Sequence, residues 1–126
     1  MRLKNKIAII TGAGSGIGRE TAILFAKEGA SVVVAENDSP KGKDTVKVIR
    51  GNGGEGLFIK TDVSISEDVK KMIQATLDTY RKIDVLYNNA AIFSPITEGK
   101  IKGTDGRVTD IPEEIFDLYL KYTIYT

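Results

Sequence analysis

The sequence predicts an α/β fold in which helices cover both faces of a parallel sheet. Short apolar segments alternate with longer segments of helical periodicity, a pattern typical of strands joined by crossover helices. The short segments are apolar throughout, as expected of parallel strands that are buried on both faces. A glycine-rich turn also joins the first strand to the first helix. Because crossover connections are right-handed, we expect the strand order 3-2-1-4.

The periodicity predicts four strands and four helices in alternating order. The expected strands cover residues 7–10, 31–35, 57–61 and 83–87. The expected helices cover residues 16–27, 40–50, 66–80 and 112–122. The whole chain of 126 residues is interpreted as one domain, residues 1–126.

Local signals indicate how the second helix begins and which faces of the first and third helices are apolar. Ser39 is predicted to cap the second helix, with Pro40 at its first position. In the third helix, apolar side chains recur at helical spacing and predict a core stripe: Val69, Met72, Ile73, Leu77 and Tyr80. The side chains of the first helix that can share one face are Ile17, Thr21, Leu24 and Phe25.

The composition excludes several classes of site. The chain has no cysteine and no histidine, so disulfides, cysteine or histidine zinc sites and a Ser-His-Asp triad are impossible. The net charge of +1 favours neither nucleic acid nor an anionic membrane as a partner. No apolar run approaches the ~20 residues that span a bilayer, and the short basic N-terminus is unlike a secretory signal. We therefore expect a soluble cytoplasmic protein.

The glycine-rich turn from Thr11 to Gly18 is the main functional signal. A strand, a glycine-rich turn and a helix form the arrangement that binds the pyrophosphate of a dinucleotide. Glycines let the backbone approach the phosphates, and the helix N-terminus offers N–H groups and partial positive charge. The alternative interpretation is a turn between strand and helix that binds no ligand.

The spacing of the glycines resembles one family in particular. The general pattern G-x-G-x-x-G fails, because Ile17 and Arg19 occupy the places of its last glycine. The pattern T-G-x-x-x-G-x-G fits, and it resembles the short-chain dehydrogenase/reductase family. The resemblance implies a Rossmann-like NAD(P)-binding domain. The cofactor contacts that it implies in the turn are Gly12, Ser15, Gly16, Ile17 and Gly18.

Glu36 follows the second strand directly, about 20 residues after the glycines, where a carboxylate hydrogen-bonds the adenosine ribose. The resembling family places its acidic residue here in members that prefer NAD. Relatives that prefer NADP usually carry a basic residue at the positions of Ser15 or Asn37, and neither is basic here. We therefore expect NAD rather than NADP. The alternative is that Glu36 and Asp38 are solvated loop acids or a cap for the next helix.

Two further segments resemble cofactor-binding motifs of the family. Asp62 and Val63 follow the third strand, and the resemblance implies that they flank the adenine ring, with the carboxylate accepting from its amine. The alternative for Asp62 is an Asx turn. Asn89 and Ala90 lie in a segment similar to the family's N-N-A-G, and the resemblance implies that this segment braces the sheet and lies against the cofactor ribose. Ala91 replaces the usual glycine of that segment.

The resemblance covers residues 6–122 and corresponds to about the first half of a family member. The family's catalytic group is an asparagine, a serine and a tyrosine with a lysine four residues later. No tyrosine of this chain has lysine at that spacing, and the expected asparagine falls near Thr123. No catalytic residue is assigned, and we expect an NAD-binding domain that is inactive alone. The alternatives are part of an active NAD-dependent alcohol or ketone oxidoreductase completed by another segment or chain, and a structural domain without cofactor.

The predicted architecture stops after the fourth strand and fourth helix, which leaves the fourth strand as an open edge. Open edges and apolar helices favour association, so we expect a homo-oligomer through this edge or through the helix at 112–122, or else poor solubility. Residues 94–110 form a long polar loop, which fits either a lid or an insertion.

Overall fold

A computed structural model of the chain describes residues 1–90. The polar segment at 94–110, the expected fourth helix at 112–122 and Ala91 lie outside the described residues. The described residues form four strands and the three helices that connect them.

The described chain alternates strands with helices and forms one sheet. The elements are β1 (Ile7–Thr11), α1 (Gly16–Lys27), β2 (Ser31–Glu36), α2 (Ser39–Gly51), β3 (Glu55–Lys60), α3 (Ser66–Tyr80) and β4 (Val85–Tyr87). All strand pairs are parallel, and the order is β3-β2-β1-β4. This arrangement confirms the predicted Rossmann-like fold and the strand order 3-2-1-4.

Helices cover the sheet on both faces, which explains why the strands are apolar throughout. Ile10 and Val34 face the layer formed by α1 and α2, where they belong to the same core cluster as Ile49. Ile9 and Val33 face the opposite layer, where α3 contributes the predicted stripe. The members of that stripe that are buried are Val69, Met72 and Ile73, and the half-buried ones are Leu77 and Tyr80.

The buried face of α1 differs from the face that the apolar pattern indicated. Ile17 and Leu24 are 70% and 56% exposed. The residues that α1 buries are small and spaced four apart: Gly18, Ala22 and Ala26. Small side chains let the helix approach the sheet closely, so Ile17 and Leu24 are directed away from it. Phe25, also predicted on that face, is partly buried and packs against the core.

Some element boundaries also differ from the prediction. Asp38, and not Ser39, caps α2, and its Oδ1 accepts a hydrogen bond from the Lys41 N–H at 3.1 Å. Ser39 is thus the first residue of the helix, because a carboxylate one residue earlier reaches the backbone donor. β3 begins at Glu55, two residues earlier than expected, because pairing with Ser31 of β2 extends it.

Candidate functional site

The predicted site residues lie at one edge of the sheet, where all four parallel strands end. The glycine turn follows β1, Glu36 ends β2, and Asp62 and Val63 follow β3. The pairing of Glu36 with Lys60 brings the ends of β2 and β3 side by side. Asn89 and Ala90 follow β4, which pairs with β1. The carboxyl edge of a parallel sheet is the usual location of ligand sites in this architecture.

The start of α1 has the properties of an anion site. Gly16 has a φ of +56°, and a methyl group built on its backbone would meet nothing within 4 Å. Ser15 precedes the helix in an extended conformation, with no cap hydrogen bond from its side chain and no acidic residue in the first turn. The positive end of the helix is therefore open to an external anion.

The close approach of α1 to the turn depends on Gly18. A methyl group there would overlap the Gly12 carbonyl oxygen and the Asn89 side chain. That same Asn89 amide donates to the Gly12 carbonyl at 3.3 Å. The third glycine of the motif thus permits packing within the turn, whereas Gly16 leaves open space above it.

Three hydrogen bonds to β2 and α2 hold the turn. The Gly12 N–H donates to the Ala35 carbonyl of β2 at 2.8 Å. The Thr45 hydroxyl of α2 donates to the Ala13 carbonyl at 2.9 Å. The Gly14 N–H donates to Glu36 Oε1 at 3.0 Å. The turn is therefore fixed by hydrogen bonds within the protein, which reduces the conformational entropy lost when a ligand binds.

Within residues 1–90, the partners that hold the Glu36 carboxylate are backbone N–H groups. Oε1 accepts from Gly14, and Oε2 accepts from Asn37 at 2.8 Å and from Asp38 at 3.1 Å. No ion pair within residues 1–90 includes Glu36. Since Asp38 caps α2, the cap alternative applies to Asp38 and not to Glu36. A half-buried carboxylate without a cation partner can accept hydrogen bonds from a ligand diol.

Asp62 takes part in the local turn that sequence reasoning gave as its alternative role. Its Oδ1 accepts from the Ser64 N–H at 2.9 Å and from the Ser64 hydroxyl at 2.6 Å. The neighbouring Val63 is buried. A carboxylate has two oxygens and about four acceptor positions, so this turn and an adenine contact are compatible. The adenine role stays a prediction.

Thr11 connects the β4 end to the turn. Its Oγ1 accepts from the N–H groups of Asn89 and Ala90, both at 3.0 Å, and lies 3.4 Å from the Tyr87 carbonyl oxygen. The side chain is fully buried. The sequence identified Thr11 only as part of the glycine motif and did not predict that it holds the segment after β4. Its position at the end of β1 was the feature that could have indicated this role. Thr45 was missed altogether, because a threonine inside a helix gives no local signal.

Among residues 1–90, no helix combines the length and apolar character that crossing a membrane requires. The same residues hold no group of three or more His, Cys, Asp or Glu side chains placed to bind a metal ion. The arrangement of the described site thus consists of backbone donors, two carboxylates and small side chains.

Known oxidoreductases are similar to this chain in sequence. The chain is 53% identical over 100 residues to the short chain dehydrogenase/reductase astE of Aspergillus oryzae, covering 76% of this chain and 38% of the relative. It is 44% identical over 99 residues to an uncharacterized oxidoreductase of Listeria monocytogenes, covering 77% of this chain and 40% of the relative. It therefore spans about two fifths of the length of these curated relatives.

A solved structure of an oxidoreductase has a fold similar to that of this chain. A 7 alpha-hydroxysteroid dehydrogenase complexed with NADH and 7-oxo glycochenodeoxycholic acid superposes with a TM-score of 0.78 at 30% identity. The match covers 97% of this chain and 48% of that protein. The fold of the chain is thus the NAD-binding Rossmann fold of such oxidoreductases. The family model described as short chain dehydrogenase matches residues 6–117. We conclude that the chain belongs to the short chain dehydrogenase family.

Proposed function

We propose that the chain binds NAD or NADH at the carboxyl edge of the sheet and prefers them to NADP and NADPH. The observation that carries this proposal is the Glu36 carboxylate, which adjoins the glycine turn at 3.0 Å from the Gly14 nitrogen and has no cation partner within residues 1–90. This position, beside a turn suited to pyrophosphate, suits recognition of the adenosine ribose.

The pyrophosphate is assigned to the start of α1. Gly16 leaves open space above the backbone, and the uncapped N–H groups after Ser15 are available as donors. Ile17, which is exposed at this point, is proposed to lie along the cofactor. Gly12 and Gly18 contribute by permitting the turn and the helix to approach each other.

The preference for NAD follows from charge. A 2′-phosphate on the ribose would lie against the Glu36 carboxylate, and like charges at this range repel. The side chains at Ser15 and Asn37 carry no charge that would offset the repulsion. Arg19, in the first turns of α1, is bound to Asp44 at 2.7 Å. The charges close to the ribose position therefore disfavour the phosphorylated cofactor.

The adenine and the second ribose are assigned to the outer strand ends. Asp62 is proposed to accept from the adenine amine, with Val63 beside the ring. Asn89 and Ala90 are proposed to lie against the cofactor ribose nearer the nicotinamide. The backbone N–H groups of both residues donate to Thr11 Oγ1 at 3.0 Å. This fixed backbone supports the proposal that the two residues form one side of the cofactor site.

Cofactor binding without hydride transfer is the activity we propose for these 126 residues alone. No tyrosine of the chain is followed by lysine four residues later, so the proton donor of the family's reaction is not among them. A second candidate is an NAD-dependent alcohol or ketone oxidoreductase completed by further residues. The observation in its favour is that the chain spans only 38–48% of the related proteins described above.

Calorimetric titration of the purified chain with NADH, and in parallel with NADPH, tests the proposal. We expect binding of NADH in the micromolar range and clearly weaker binding of NADPH. NADH should also raise the melting temperature, because a ligand that binds only the folded state stabilises it. Absence of NADH binding and of any thermal shift would favour a domain without cofactor. Oxidation of NADH in the presence of ketones would favour the oxidoreductase.

We also propose that the chain forms a homo-oligomer. Among residues 1–90, β4 pairs only with β1, so its outer edge offers backbone groups to another strand. Sedimentation at several concentrations tests this proposal, since a monomer over the whole range would contradict it.

A further inference from the structure

The peptide unit between Ala13 and Gly14 is held at both of its polar ends. Its carbonyl oxygen accepts from the Thr45 hydroxyl at 2.9 Å, and its N–H donates to Glu36 Oε1 at 3.0 Å. Ala13 and Thr45 are both fully buried. A buried carbonyl requires a hydrogen-bond partner, and here the partner comes from α2, 32 residues further along the chain.

Arg19 favours the direction of the Thr45 hydrogen bond. Its Nη1 lies 3.3 Å from Thr45 Oγ1 and 2.7 Å from Asp44 Oδ2. A guanidinium group can only donate, so the threonine oxygen accepts from it and its own proton is directed elsewhere. That proton has two acceptors, the Ala13 carbonyl at 2.9 Å and the Lys41 carbonyl at 3.2 Å, and the former is nearer.

The orientation of this peptide unit helps to hold the Glu36 carboxylate in place, together with the N–H groups of Asn37 and Asp38. The carboxylate rests directly on Gly14, where a built methyl group would be 2.6 Å from Glu36 Oε1. If the peptide unit reversed, the Ala13 carbonyl would face the carboxylate, and two negative groups would repel each other. The hydrogen bond from Thr45 opposes this reversal, because reversal would remove its acceptor.

We propose that Thr45 is a positioning residue for cofactor selection. By holding the Ala13 carbonyl, it keeps the Gly14 N–H directed at Glu36, and it thereby keeps the carboxylate at the place assigned to the ribose hydroxyls. This inference rests on the proposed function, since it assumes that Glu36 contacts the cofactor. Thr45 itself is fully buried, so we assign it no direct contact with the cofactor.

Three variants test the hydroxyl group directly. Thr45→Val removes the hydroxyl and keeps the branched shape, whereas Thr45→Ser keeps the hydroxyl. Thr76→Val is the matched control, because Thr76 is also fully buried and its hydroxyl donates at 2.8 Å to Met72 within α3. We expect Thr45→Val to raise the Kd for NADH about fivefold, the size expected for one lost neutral hydrogen bond. Thr45→Ser and Thr76→Val should keep the parent Kd.

A double-mutant cycle separates positioning from a general loss of stability. In a Glu36→Ala background, the carboxylate that Thr45 positions is absent, so Thr45→Val should change the Kd for NADH by less than twofold. An equal fold-change in both backgrounds would overturn the inference while leaving the proposed function intact. If the parent chain binds no NADH, the proposed function fails, and the inference fails with it. Should Thr45→Val not fold, Thr45→Ala is carried through the same cycle.

Discussion

Two carboxylates at opposite ends of the sheet are satisfied in different ways. At the amino end, Asp84 Oδ2 accepts from the Ile7 N–H at 2.8 Å and pairs with Lys82 at 2.9 Å. At the carboxyl end, Glu36 accepts from three backbone N–H groups, and no cation of the described part of the chain pairs with it. Asp84 is thus neutralised by a cation of its own chain, whereas Glu36 is oriented without being neutralised. The first arrangement serves the stability of the sheet, and the second leaves a charge for a ligand.

Each end of the sheet also has a glycine with positive φ and open space beside it, and the two glycines differ in their distance from the proposed ligand. Gly16 and Gly53 both have positive φ, +56° and +83°, and a built methyl group meets nothing within 4 Å at either. Gly16 begins α1 at the proposed phosphate position, whereas Gly53 lies between α2 and β3 at the amino end. Substitution strains the backbone in both places, and only the former blocks the proposed ligand.

The largest effect is expected for this glycine pair. Gly16→Val should weaken NADH binding by roughly two orders of magnitude or more, because branched methyl groups occupy the space through which the phosphates approach the helix N-terminus. Gly53→Val should lower the melting temperature about as much as Gly16→Val does, because both substitutions strain a backbone with positive φ. It should leave the Kd for NADH unchanged. Calorimetry and thermal melts of both variants provide the comparison. Normal NADH binding by Gly16→Val would mean that the phosphate assignment is wrong.

The second-largest effect on NADH binding is expected for the Glu36 carboxylate. Glu36→Ala removes charge-assisted hydrogen bonds to the ribose, so the Kd for NADH should rise by about one to two orders of magnitude. The discrimination against NADPH should shrink, since the repulsive charge is gone. Glu55→Ala is the control, because Glu55 accepts from the Tyr80 hydroxyl at 3.0 Å and begins β3, at the opposite end of the sheet. Equal Kd values for the parent and Glu36→Ala would contradict the ribose assignment.

Asp84 should affect stability alone, with a defined dependence on pH. Partial burial raises the pKa of Asp84, but hydrogen bonds from Lys82 and from the Ile7 N–H, and the charges of Lys82 and Lys6, outweigh it and hold the pKa below its ordinary value of 3.8. A carboxyl group whose pKa is lowered by folding stabilises the protein above its unfolded pKa. That contribution is lost as the pH falls through the folded pKa.

The corresponding experiment compares melting temperatures of the parent and Asp84→Asn between neutral and acidic pH. We expect the variant to melt a few degrees lower at pH 7, the shift expected for about 1 kcal/mol in a domain of this size. The difference should shrink below pH 3.8. The NADH affinity should not change. A difference that stays constant down to strongly acidic pH would show that the charge of Asp84 has no part in the stabilisation.

The order of elements and strands could be predicted from the sequence because it depends on local patterns. Apolar runs mark buried strands, and the handedness of crossovers determines their order. For the cap of α2, the sequence offered both Ser39 and Asp38, and the reach of the side chain decided between them. The buried face of α1 could not be predicted from local patterns, because close packing against the sheet decided it. The contact between Thr45 and Ala13 joins residues that only the assembled sheet brings together.

The smallest expected effect concerns Asp62, where the local turn and the proposed adenine contact share one carboxylate. Nicotinamide hypoxanthine dinucleotide in its reduced form lacks the adenine amine, so the parent chain should bind it about threefold more weakly than NADH, as expected for one modest hydrogen bond. Asp62→Ala should bind the two ligands equally. Ser64→Ala removes the hydroxyl that donates to Asp62 at 2.6 Å, yet leaves the carboxylate, so it should keep the parent's discrimination. If Ser64→Ala loses discrimination as completely as Asp62→Ala, the turn and not the carboxylate determines the adenine contact.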